Sequence, residues 1–165
     1  MYADADWGHD IDSHRSVSGY VFLLRDSAIS WSAKKQPTVA GSSTEAEYMS
    51  LSYAARQGLW IRWLLIELSL KLESIPTTIY VDNQGAIDLS KDSRHHGRTK
   101  HIDIQHHFIR ERIEDQTFEI VYCPSNLMLA DGLTKPLPRE RFVHMVEGLG
   151  LLLYWGSVLE ITILT

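Results

Sequence analysis

Hydrophobic positions in this chain follow two different periods, and the changes from one to the other mark its elements. Residues 17–24, VSGYVFLL, and 28–33, AISWSA, are short runs rich in aromatic and branched side chains, joined by Arg25-Asp26-Ser27, a connection of hairpin length. A shorter stretch of the same kind, 2–7, YADADW, precedes them, so three strands open the chain. From Thr44 the period becomes helical, with Tyr48, Leu51, Ala55 and Leu59 recurring at spacings of three and four. Gly58 predicts a bend or break there. Beyond it, residues 59–72 are apolar on most sides and carry Trp60 and Trp63, which predicts a helix buried on two faces. Arg62, Glu67 and Lys71 interrupt this run, and it is shorter than the roughly 20 residues that a membrane span requires.

After Pro76 the β-type period returns. Residues 77–81, TTIYV, read as a short, central, parallel strand with Asp82 at its carboxyl end, where open α/β sheets place ligand-binding residues. Asn83 is suited to cap the helix that follows. Residues 100–115 predict a helix with Ile102, Ile109 and Ile113 on one side and Ile104 with Phe108 nearly opposite, two stripes that imply two packing partners. Residues 117–122, TFEIVY, alternate as a last strand. A short helix carrying Leu127, Leu129, Ala130 and Asp131 is expected next, then an amphipathic helix over 139–149 after Pro136 and Pro138. One α/β domain therefore covers 1–150, and 151–165 form a hydrophobic tail with a single acid, Glu160.

At 165 residues the chain can bury a core without metal staples or disulfides. Its single cysteine, Cys123, excludes an internal disulfide and a cysteine-rich zinc site, and the opening MYADADWGHD lacks the basic start of a signal peptide. Both point to a reduced, intracellular setting. A net charge of −5 argues against broad attraction to phosphate, so a nucleic-acid partner would need a bound cation or a local basic patch. Residues 91–100, KDSRHHGRTK, supply such a patch, while the histidines in and after it lack the two-plus-two spacing of a structural zinc site.

The candidate chemistry lies in carboxylates at element ends. Within SSTEAEY, both Ser42 and Thr44 can cap a first helical turn, with Glu45 and Glu47 three residues further on, so two overlapping capping boxes are possible. If Ser42 pairs with Glu45, Glu47 is released and projects from the first turn. Asp4 on the first strand, Asp82 after the fourth and Asp131 near the end complete a set that a β-β-β-α-β-α-β-α order can bring to one sheet edge. Such a cluster cannot remain fully ionised without cations, and oxygen ligands in this number suit Mg2+ or Mn2+.

The motifs YADADW, SGYVF, ISWSAKKQ, SSTEAEY, IYVDNQGAI, RTKHIDIQHHFIRE and LADGLTKPL, in this order from residue 2 to about 151, resemble the ribonuclease H domain of copia-type LTR retrotransposon Pol polyproteins. The resemblance implies a ribonuclease H-like fold, with a five-stranded mixed sheet of three antiparallel and then parallel strands flanked by helices. It further implies hydrolysis of the RNA strand of an RNA–DNA hybrid, with catalytic, metal-ligating carboxylates at Asp4, Glu47, Asp82 and Asp131. Two Mg2+ ions, replaceable by Mn2+, are expected. Asp4 bridges them, Asp131 serves the side where water becomes hydroxide, and Glu47 with Asp82 serves the leaving 3′ oxygen. Arg94, Arg98, Lys100 and His101 of the basic segment are the expected contacts to the hybrid backbone. The resemblance also implies an upstream reverse transcriptase domain, a cytoplasmic virus-like particle and no membrane.

Two features depart from cellular enzymes of this superfamily. Residues 122–130 contain no histidine before the last aspartate, and only three residues precede Asp4, which predicts a first strand held as a frayed edge. The alternative reading is a catalytically inactive module that binds nucleic acid or protein. A transposase or integrase core would place its essential glutamate last, whereas Glu47 comes second here.

Overall fold

The computed structural model describes residues 1–8, 10–69, 75–91 and 100–151, without the side chains of 100–103. In chain order the elements are β1 (Tyr2–Ala5), β2 (Val17–Leu24), β3 (Ser27–Lys35), α1 (Ser43–Glu67), β4 (Thr77–Val81), α2 (Gln84–Lys91), α3 (Lys100–Glu114), β5 (Phe118–Tyr122) and α4 (Arg139–Gly148). The five strands form one sheet in the order β3-β2-β1-β4-β5. β1 to β3 pair antiparallel, and β4 lies parallel to both β1 and β5, so the mixed sheet expected from the sequence is present.

Side-chain alternation gives this sheet two buried faces. Ala3, Phe22, Ile79, Val81, Phe118 and Ile120 pack against Leu51, Ala54 and Ala55 of α1. On the other face, Val21 and Tyr2 meet Leu129, Met145, Val146 and Leu149 of the C-terminal segment and α4. Each large apolar side chain buried this way contributes about 1.5–3 kcal/mol. Asp4, two residues after Tyr2, therefore emerges on the α4 face. Although β1 has only four residues, it is the middle strand, and Asp4 is 1% exposed, so the expected frayed edge is not found. Neighbours on both sides satisfy its backbone, including the Tyr80 N–H that donates to the Met1 carbonyl at 2.9 Å.

Three helical expectations are corrected. α1 runs unbroken through Gly58 for 25 residues. A Cβ on Gly58 would sit 3.0 Å from Phe22 and 3.3 Å from Phe118, so the glycine admits two aromatic rings from the sheet and does not end the helix. The second half of α1 buries one face only: Ile61 and Arg62 are inside, while Trp60 and Trp63 are 55% and 60% exposed. Arg62 is buried because its Nη1 donates to the Ile75 carbonyl at 2.8 Å and to Thr77 Oγ1 at 2.7 Å. On α3, Ile109 is buried but Ile104 is 60% exposed. The predicted second stripe is therefore split: Phe108 is partly buried against the main core, with the guanidiniums of Arg56 and Arg112 at 5.5 and 5.9 Å from its ring, while Ile104 is left exposed among the described residues. No described helix is long and apolar enough to cross a membrane.

Candidate active site

The start of α1 is set by the Ser42–Glu45 pair. Ser42 Oγ accepts from the Glu45 N–H at 3.2 Å, and the Glu45 carboxylate accepts from the Gly41 N–H at 2.8 Å, one residue ahead of the usual box partner. Glu47 is thereby left out of the cap. One turn on, the Ser50 hydroxyl donates to the Asp4 carbonyl at 2.7 Å, which pins α1 against β1. Buried Gln36 adds a second tie, its Nε2 donating to Ser18 Oγ and to the Ala46 carbonyl, both at 2.9 Å. Glu47 is consequently buried beside β1. The Ala5 N–H donates to its carboxylate, and its Oε2 has no hydrogen-bond partner.

Asp82 follows β4 directly, and its Oδ2 accepts from Ser125 Oγ at 2.7 Å. Asn83 caps α2 as expected, with Oδ1 accepting from the Ala86 N–H at 3.0 Å. Asp131 belongs not to the predicted short helix but to the second of two 3-10 turns, Ser125–Leu127 and Asp131–Leu133. Here proximity decides the backbone: this segment must pass close over β2, and Gly19 opposite Asp4 leaves the room. A Cβ on Gly19 would lie 2.7 Å from Thr134 Cγ2 and 2.9 Å from Leu133 Cβ. The Thr134 hydroxyl then reaches the Asp4 carboxylate; having one proton, it can donate either there or to the Asp131 carbonyl at 3.0 Å.

One ligand oxygen each from Asp4, Asp82 and Asp131 lies within 4.8 Å of the others. Glu47 stands outside that trio, but the charges of Asp4 and Asp82 act on it. Burial above all, with those two charges, pushes the Glu47 carboxyl from its ordinary 4.5 up to about 10. Burial likewise raises Asp4 from 3.8 to about 6, against the opposing effects of Thr134 and Lys135. Asp131 is fully buried but paired with two cations: Arg141 Nη2 donates to Oδ2, and Lys135 Nζ lies 2.8 Å from Oδ1. The lysine ammonium is thus the charge partner of Oδ1, as Arg141 is of Oδ2. Burial alone would lower the Lys135 pKa, but pairing with Asp131 and the charges of Asp4 and Asp82 raise it.

These donors fit a hard divalent cation, the trio being converging carboxylate oxygens, with Glu47 Oε2 buried beside them and without a hydrogen-bond partner among the described residues. Sequence reasoning named these four acids but missed Thr134, Lys135 and Arg141. The spacing of four from Asp131 to Lys135 was an available signal. For Arg141, ten residues from Asp131, there was none. Of the proposed nucleic-acid contacts, Lys100 and His101 open α3, but their side chains, with all of Arg94 and Arg98, lie outside the described residues.

The sheet order and the acids at its edge define a ribonuclease H-like fold. The chain is similar to a solved ribonuclease H1, LC11-RNase H1 in complex with an RNA/DNA hybrid, with a TM-score of 0.53, covering 81% of this chain and 91% of that one. Identity is 14%, so the likeness is one of fold. In sequence, the chain is 42% identical over 150 residues, 91% of its length, to the retrovirus-related Pol polyprotein from transposon TNT 1-94 of Nicotiana tabacum. It is 43% identical over 149 residues to that from transposon RE1 of Arabidopsis thaliana. The chain spans only 11% and 10% of the length of these two relatives. No protein-family model matches it.

Proposed function

We propose that residues 1–150 are the ribonuclease H segment of a retrotransposon Pol polyprotein, a metal-dependent endonuclease that hydrolyses the RNA strand of RNA–DNA hybrids during reverse transcription. The observation that carries this reading is the convergence of Asp4, Asp82 and Asp131 oxygens within 4.8 Å, in a chain similar to Pol polyproteins. Asp4 would hold both of two Mg2+ or Mn2+ ions, Asp131 the one on the water side, and Glu47 with Asp82 the one on the leaving-group side. When bound, such ions supply an activated water and charge neutralisation at the departing 3′ oxygen.

The chain's own residues contribute order and charge. Ser50 and Thr134 fix Asp4 from its backbone and its carboxylate, and Ser125 fixes Asp82, so the acids are positioned before substrate arrives. Without a cation this acidic edge repels phosphate. Arg94, Arg98, Lys100 and His101 would draw in the hybrid's backbone. The proposed setting is intracellular, in a cytoplasmic virus-like particle, with a reverse transcriptase domain upstream.

The test is cleavage of a labelled RNA–DNA hybrid with Mg2+, Mn2+ or chelator. Loss of an outer partner of a metal ligand already costs about 10–100-fold, so Asp82→Asn, which alters a ligand itself, is expected to lower cleavage by more than about 100-fold with the fold intact. Undiminished cleavage by that variant would overturn the assignment. No cleavage by the unmodified chain with either ion would favour the inactive binding module.

A further inference from the structure

Lys135 is the one described side chain that places a positive charge against two of the three converging acids. Its Nζ lies 2.8 Å from Asp131 Oδ1 and 3.9 Å from Asp4 Oδ2. The lysine side chain is 35% exposed, whereas those of Asp4 and Asp131 are 1% and 0% exposed. It therefore reaches inward from solvent and can leave by side-chain rotation alone, without moving the backbone that holds Asp131. The two oxygens of Asp131 differ in their availability. Oδ2 is bonded by Arg141, which is itself anchored to the Ser125 carbonyl, whereas among the described residues Oδ1 is held by the partly exposed Lys135 ammonium.

We propose that Lys135 is a resident counter-ion: it neutralises Asp131 and Asp4 when no divalent cation is bound, competes with that cation for Asp131 Oδ1 and Asp4 Oδ2, and swings out to solvent when the cation binds. The proposal rests on the metal-dependent reading above. An ammonium and a divalent ion cannot share the same oxygens without strong repulsion, so binding of one must weaken the other. Linkage makes the effect reciprocal: the factor by which Lys135 weakens the cation is the factor by which the cation weakens the Lys135 contact. The arrangement keeps the acids in place before metal arrives, at the expense of metal affinity.

Calcium and magnesium titrated by calorimetry into the unmodified chain, Lys135→Met and Lys135→Gln test this directly. Methionine removes the charge and offers no oxygen to a hard cation, so tighter binding in that variant cannot come from a new ligand. Glutamine keeps a polar end should methionine disturb folding. The expected result is about tenfold tighter cation binding in both variants, the size of a typical coupling between sites. A lower melting temperature in chelator should accompany it. Unchanged or weaker binding in both variants overturns the counter-ion role and leaves the metal-dependent reading standing. Absence of binding in all three proteins at millimolar cation overturns both.

Discussion

Glu47 and Asp131 are both buried carboxylates at one sheet edge, yet their surroundings are opposite. Asp131 meets Lys135 and Arg141, two cations from the segment that carries it. Glu47 receives a single backbone N–H, faces the charges of Asp4 and Asp82, and keeps one oxygen with no partner. Among the described residues, the chain thus places its cations beside Asp131 and leaves Glu47 to a proton or a cation from solution. A buried acid with its counter-ions offsets part of its desolvation and becomes costly to unpair, whereas one without them is a cost accepted for what it can bind.

Substitution should break this symmetry in one direction only. Asp131→Ala leaves Arg141 without its acid and Lys135 with only the more distant Asp4, and breaking a buried pair costs about 3–5 kcal/mol; because Lys135 and Arg141 are each 35% exposed, the lower end is expected. Glu47→Gln should leave stability in chelator at pH 7 unchanged, because that carboxyl already carries its proton there. Urea unfolding of both variants measures the difference, and equal losses would erase the contrast.

The pH dependence sharpens it. Asp4 and Glu47 are raised on folding, Asp4 from 3.8 to about 6 and Glu47 from 4.5 to about 10, so between these values the folded chain binds more protons than the unfolded one. Stability from these groups is therefore fully present below the unfolded values and is lost as pH rises through the folded ones. With about 1.4 kcal/mol per pKa unit, Asp4 alone accounts for a fall on the order of 2–3 kcal/mol between about pH 4 and pH 7 in chelator. Asp4→Asn should remove that part of the slope, and saturating Ca2+ should flatten it. An unaltered pH profile in the asparagine variant would contradict the assignment of the slope to Asp4. The smallest measurable loss belongs to Ser125→Ala, which removes the 2.7 Å hydrogen bond to the partly exposed Asp82 and should cost about 0.5–1 kcal/mol, read in the same unfolding experiment.

Much of this was legible in one dimension. Periodicity marked every strand, Asn83 announced its cap, and Ser42 with Glu45 implied a free Glu47, because each depends on residues a few positions apart. Gly58 misled for the converse reason. Its low helix propensity is local, but the reason for its presence, contact with Phe22 and Phe118, comes from strands far away in sequence. The exposed Ile104 misled in the same way, since apolar periodicity identifies a face without supplying a partner for it.

What the sequence determined by itself was the identity of the acids and the elements that carry them, since residue type and local period are properties of short stretches. Only the tertiary structure decided their electrical circumstances. A four-residue strand became the middle of the sheet by pairing on both sides, which buried Asp4, and Gly19 left space for Thr134 to reach it. The return of the chain through α4 brought Arg141 to Asp131, and among the described residues no ion pair reaches Glu47. Charge compensation depends on distance in space, and a sequence records only distance along the chain.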